Sequence, residues 1–342
     1  MKELISSFAS HLKNEKGRTD ETVVKYTGNL KIMFKKMAIY DVAQLHAGLI
    51  NRRLLDTFWQ DLRDSGKTLS DQTRANYLSA LKAFLKFCHQ YEHLKEDISD
   101  KIVIPQKRQV FLEGLSQKEQ KTLRTHLARN VITNKDLRDT ALIMFLWGTG
   151  CRISEALRLN VHPDGYIYFH DESIISGDFL MADGKMYVHF RGKRKKDRRV
   201  IVSKDVLAYL NLYLKERDGS KSAILFKNVR NNRSKSERLT RDGAKHVVNT
   251  MLADVGIKKE KGMATHIFRH TASNYWLEQG HDLKEVAVML GTTPETVYKY
   301  YFERNKKITD IFGDTSKSTG QVEDPRLLEF EEAIKLRHSL AQ

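Results

Sequence analysis

The first hundred residues carry apolar side chains at helical spacing. Ile5, Phe8, Ala9 and Leu12 share one face of a 3.6-residue repeat, and so do Val23, Tyr26, Leu30, Met33 and Phe34 behind a Thr19-Asp20 start signal. A third stripe, Leu54, Leu55, Phe58, Trp59 and Leu62, closes at Ser65-Gly66, and a fourth runs through Leu78, Leu81, Phe84, Leu85 and Cys88. Helices with one apolar stripe each bury it against one another, so the pattern predicts a small helical bundle. Residues 99–111 lose that period. Lys101, Pro105, Lys107 and Arg108 mark an extended basic linker, since proline disfavours helix at the residue before it. Ser116-Gln117-Lys118-Glu119 then opens a helix as a capping box, in which Glu119 reaches back to Ser116.

Beyond that point the pattern is mixed. Residues 136–147 read as a buried helix, Gly148-Thr149-Gly150 breaks it, and a new helix is predicted over 152–159. The period then switches to two, which predicts strands at 166–169, 186–190 and 200–202. Helical spacing resumes at 206–214, at 242–255 and from His266 onward, while 228–241 is polar and basic and reads as a loop. The predicted fold class is therefore mainly α with a small antiparallel β-sheet, split into a helical first part and a mixed α+β second part.

Composition narrows the partners. Over 342 residues, 59 basic against 43 acidic side chains give a formal net charge of +16, which favours a polyanion: nucleic acid first, an anionic membrane surface second. Cys88 and Cys151 lie far apart without CxxC spacing, which argues against a disulfide scaffold or a Cys-rich zinc module and for a reducing compartment. The start of the chain lacks a signal-peptide pattern, and the apolar run 141–147 is too short to span a bilayer. The expectation is a soluble, intracellular, nucleic-acid-facing protein with no membrane partner, cytoplasmic and nucleoid-associated if it is prokaryotic or of mobile-element origin.

Four places could do chemistry. In residues 191–199 seven of nine side chains are basic and one is acidic, so this turn between two strands repels itself unless a polyanion neutralises it. A solvated hairpin tip is the plain alternative. His266 and Arg269 stand three apart on one helix face, where an arginine fork and an imidazole suit a bound phosphate. His266 and His270 have the spacing of a metal-site helix, but Ile267 occupies the place of a zinc protease's glutamate and no third ligand motif follows. Arg152, just after a glycine turn and at a helix start, is badly placed for the helix dipole, which points to a role such as holding an anion. Tyr298, Tyr300 and Tyr301 crowd four positions near the end; a phenol with a free pKa of about 10 becomes a nucleophile only where cations stabilise its phenolate.

In order, the chain holds Gly148-Thr149-Gly150-Cys151-Arg152-Ile153-Ser154-Glu155-Ala156-Leu157, a strand-turn Gly192-Lys193, the run His266-Ile267-Phe268-Arg269-His270, a Leu290-Gly291 turn and a late tyrosine. This ordered set resembles the tyrosine recombinases, the phage integrases, Xer-type resolvases and Cre-like enzymes. The resemblance implies a C-shaped clamp built from a helical core-binding domain at 1–100, a basic linker at 101–112, a catalytic domain at 113–313 and a tail at 314–342. It implies a site-specific recombinase that cuts and rejoins duplex DNA through a 3′-phosphotyrosine intermediate, with no cofactor and no metal. The site residues it implies are Arg152, Lys193, His266, Arg269 and Tyr300, with Tyr301 and then Tyr298 as alternatives for the nucleophile. The implied partner is double-stranded DNA with paired sites, bound by a homotetramer assembled from monomers or weak dimers. Base contacts are expected from the region of Thr73 to Asn76 and from the helix after Leu239. The tail holds six acidic against four basic residues and a short helical pattern after Asp324-Pro325; the expectation is docking on its own domain or on a neighbouring protomer. Thr292 stands where the family usually has His or Trp. That departure keeps two alternatives open: a recombinase-like DNA-binding protein with impaired cleavage, and a strand-nicking enzyme resembling type IB topoisomerases.

Overall fold

The computed structural model describes residues 1–64, 70–105, 114–192, 197–217, 222–228, 237–258 and 264–298. The chain divides into two compact units, Met1–Val110 and Phe111–Gln342.

The first unit holds α1 (Lys2–Asn14), α2 (Asp20–Lys36), α3 (Ala47–Arg53), α4 (Trp59–Asp64) and α5 (Asp71–Gln90). The four apolar stripes meet in one core, where Phe8, Leu30, Met33, Phe34, Phe58, Leu81 and Phe84 are buried and the Phe8 and Phe84 rings meet edge to face at 5.4 Å. The third stripe is not one regular helix. A π-helical turn, Leu54–Phe58, joins α3 to α4; one extra residue in the turn lets Leu54, Phe58 and Leu62 all reach the core. The stretch expected to be extended begins instead with a tight turn, Ser99–Lys101, and Ile102 still packs into this core.

The second unit is built on α7 (Asn134–Thr149), whose residues from Leu137 to Trp147 are all buried. Around it lie α6 (Gln117–Arg129), α8 (Ile153–Ala156), α9 (Lys204–Glu216), α10 (Arg241–Asp254), α11 (Ala264–Glu278) and α12 (Leu283–Leu290). The predicted Ser116/Glu119 capping box starts α6, with Ser116 N–H donating to Glu119 at 2.8 Å. Among the described residues one sheet forms, β1 (Phe179–Ala182), β2 (Lys185–Phe190) and β3 (Arg198–Ile201), antiparallel in the order β1-β2-β3.

Two expectations need correction. Residues 166–169 are not a strand: Tyr168 N–H donates to Ser176 Oγ at 2.9 Å and the Tyr166 carbonyl accepts from His162, so that backbone has no ladder to join. Phe179–Ala182, which lacks clean alternation, pairs with β2 instead. The helix expected over 152–159 lasts only for Ile153–Ala156, since Leu159 and Asn160 turn to bond the segment around Ile224. Among the described residues no helix is long and apolar enough to cross a membrane.

Candidate active site

Two left-handed glycines build the floor of the site. Gly150 ends α7 with φ 57° and Gly291 ends α12 with φ 62°. Both positions also lack room: a Cβ on Gly150 would meet Leu290 Cδ2 at 2.9 Å, and one on Gly291 would meet Arg198 Nη1 at 2.7 Å. The ends of α7 and α12 thus touch, with carbonyls that have no partner within their own helix and the negative ends of two helix dipoles facing one region.

Arginines fill that region. Three successive carbonyls at the end of α12 each accept from a different one: Met289 from Arg198 Nε at 2.9 Å, Leu290 from Arg269 Nη2 at 2.7 Å, and Gly291 from Arg152 Nη2 at 3.4 Å. Arg269 also donates through Nη1 to the Gly150 carbonyl at 3.0 Å, so one guanidinium ties both helix ends together. Glu155 completes the cluster. It accepts from the Arg152 N–H at 2.8 Å and from Arg152 Nη1 at 3.0 Å, and it takes both Nη atoms of Arg198, at 3.2 and 2.8 Å.

Three guanidiniums around one carboxylate leave a surplus of positive charge that an anion would balance. Arg198 and Arg269 are buried, while the Arg152 side chain is 41% exposed and offers the open face. Burial would raise the Glu155 carboxyl, but Arg198 and then Arg152 outweigh it and hold it below its ordinary range. For Arg269, burial first and Arg152 second pull the guanidinium down to about 10, which still leaves it charged at neutral pH. Arginine suits this task because its planar fork keeps free N–H groups after satisfying the carbonyls.

His266, one turn before Arg269 on α11, lies within electrostatic reach of Arg269, Arg152 and Arg241. Desolvation first, then those cations, lower its pKa, so the ring is neutral near pH 7 and able to accept a proton. His270 is pushed down to about 4, by burial first and then by His266 and Arg269. Among the described residues no group of three His, Cys, Asp or Glu side chains could hold a metal ion. The Cys151 thiol, buried between Gly150 and Arg152, is raised to about 12 by that burial.

Of the residues singled out from sequence, Arg152, His266 and Arg269 are therefore neighbours. Lys193 and Tyr300 lie outside the described residues, as do Tyr301 and the tail. Tyr298 is described and 48% exposed, in a helical turn at 294–298 opened by Thr293. Thr73 and Asn76 sit in the first turns of α5, where Thr73 bonds the cap residue Ser70; the helix after Leu239 is α10. Arg198 was not singled out. Counted among the basic residues of the hairpin, it instead turns into the core, its side chain 4% exposed and its guanidinium 4.5 Å from the Phe190 ring. The signal was the strand parity: Arg198, Val200 and Val202 alternate on the buried side.

Comparison with known proteins gives the family. The phage integrase family matches residues 113–307, and the phage integrase N-terminal SAM-like domain matches residues 5–91. The chain belongs to the phage integrase family. It is a Xer-type tyrosine recombinase, an enzyme of site-specific DNA cleavage and rejoining. It is 27% identical over 313 residues to the tyrosine recombinase XerD of Oceanobacillus iheyensis, covering 90% of this chain and 96% of that one. It is 31% identical over 239 residues to the XerD of Chlorobaculum tepidum, covering 68% of this chain and 70% of that one. Among solved structures, XerH recombinase bound to its difH substrate before cleavage superposes with a TM-score of 0.59 at 19% identity, over 86% of this chain and 80% of that one. A lambda integrase tetramer bound to a Holliday junction also gives 0.59, at 14% identity over 94% and 79% of the two chains. At these identities the structural likeness speaks for the fold.

Proposed function

We propose that Arg152, Lys193, His266, Arg269 and Tyr300 act together on one scissile phosphate of duplex DNA. Tyr300 attacks phosphorus, forms the 3′-phosphotyrosine and releases a 5′-hydroxyl; attack by a second 5′-hydroxyl reverses the step and rejoins the strands. Negative charge grows on the nonbridging oxygens during both steps, and Arg152 and Arg269 stabilise it with donors already in place. His266 accepts the phenol proton or donates to the phosphate. Lys193 protonates the leaving 5′-oxygen, since an ammonium among cations gives up its proton more readily.

The observation that carries this reading is the cluster of Arg152, Arg198 and Arg269 around Glu155, with neutral His266 beside it. The same reading assigns 1–100 to DNA binding, 101–112 to a linker, 113–313 to catalysis and 314–342 to docking between protomers. It expects a tetramer assembling on duplex DNA across paired sites in the cytoplasm.

The test is a nicked duplex carrying a site selected by the protein from random DNA. Cleavage next to the nick releases a short fragment and traps the covalent intermediate. The wild-type chain is expected to give a denaturant-resistant protein–DNA adduct, which Tyr300→Phe abolishes and Tyr298→Phe and Tyr301→Phe retain. An adduct retained by Tyr300→Phe would refute the nucleophile assignment.

A further inference from the structure

Arg198 is the arginine whose place in the site no motif explains. It lies at the start of β3, opposite Phe190 of β2, and stacks on that ring. It holds both oxygens of Glu155, at 3.2 and 2.8 Å, and donates to the Met289 carbonyl at 2.9 Å. Its guanidinium lies directly against Gly291, with no space for a Cβ between them. The same Glu155 carboxylate also contacts Arg152 Nη1 at 3.0 Å, so two arginines share one acid.

That sharing has a chemical consequence. A carboxylate with Arg152 as its sole cationic partner would pair with it fully and compete with any phosphate for its fork. With Arg198 on both oxygens, the demand of the carboxylate is already met, and Arg152 keeps donors for another anion. Arg198 also joins β3 to the turn at 289–291, so the hairpin that leads to Lys193 is anchored to the segment that leads to the tyrosines.

We propose that Arg198 is a positioning residue of the cleavage site: it neutralises Glu155, keeps Arg152 available to the scissile phosphate, and pins β3 to the end of α12. This rests on the assignment of Arg152 as a phosphate ligand. Without Arg198, Glu155 closes on Arg152 and becomes an inhibitor of it.

The experiment measures adduct formation on the nicked duplex in a single turnover, and DNA affinity in parallel, for Arg198→Met and Arg198→Lys, each alone and with Glu155→Gln. Arg198→Met is expected to slow cleavage about 100-fold, the scale of a misplaced catalytic group, with DNA affinity within about threefold of wild type. Glu155→Gln is expected to slow the wild-type enzyme but to speed Arg198→Met at least about tenfold, as one removed charge–charge contact would. A purely structural role predicts that Glu155→Gln worsens both backgrounds, and that result overturns the proposal. Should Arg198→Met not fold, the lysine variant decides: Glu155→Gln must cost it less than it costs wild type, and an equal or larger cost overturns the proposal. Arg152→Lys separates the two layers of inference. If it cleaves normally, the phosphate assignment fails and the role of Arg198 falls with it. If it is crippled and the reversal of sign is absent, the role of Arg198 alone fails.

Discussion

A buried guanidinium persists only where its donors are met, and Arg269 meets two of its own with the last carbonyls of α7 and α12. Those bonds hold the side chain in place before any substrate arrives, which is what an electrostatic catalyst requires. The His266/Arg269 pair was legible in the sequence because its spacing is local and helical. Arg198 is less legible, because it is one of seven basic residues in 191–199 and only strand parity sets it apart from the exposed ones. The two histidines of α11 carry a pH signature. Both titrate below the value of about 6.5 expected in an unfolded chain. Between about pH 6.5 and 4 the unfolded chain therefore binds more protons than the folded one, and stability falls as the pH is lowered through that window. Thermal melting across it should show the decline, and His270→Gln should flatten it. Cleavage by contrast should hold steady from pH 8 to about 6.5 and fall below that as His266 takes up a proton, an acid limb that His266→Gln removes together with most of the rate.

At the scale of elements, most helices are legible because amphipathic periodicity is a local property, whereas the stripe at 54–62 holds a π-helical turn and the helix expected over 152–159 stops at Ala156. The sheet was harder. Residues 166–169 look like a strand, yet side-chain and loop partners take their backbone bonds, while Phe179–Ala182 becomes a strand only because β2 lies beside it. The two glycine caps set the geometry of the site more than any strand does. Gly291→Ala places a Cβ in the left-handed region and within 2.7 Å of Arg198 Nη1. The backbone conformation alone costs about 1–2 kcal/mol, and the contact displaces Arg198 from Glu155. Melting should drop accordingly, and cleavage should fall well beyond what the lost stability explains. A variant with normal melting and normal cleavage would show that the turn tolerates the shift.

For the whole molecule, the net charge of +16 named a polyanion without naming a reaction. The arginine cluster of the second unit gives that general attraction a proposed address, one scissile phosphate. The family was legible because its elements recur in order along the chain. The bonds from three arginines to the carbonyls of 289–291 were not, because Arg152, Arg198 and Arg269 are distant in sequence and backbone acceptors leave no mark in it. The central claim is that these cations stabilise the transition state and do more than hold DNA. Its most direct test compares single-turnover adduct formation with DNA affinity for folded Arg269→Lys. Cleavage is predicted to fall about 100-fold or more, because an ammonium cannot replace the fork. Affinity is predicted to stay within about threefold, since many other phosphate contacts carry binding. Cleavage near the wild-type rate, or a loss of affinity matching the loss of cleavage, would contradict the account.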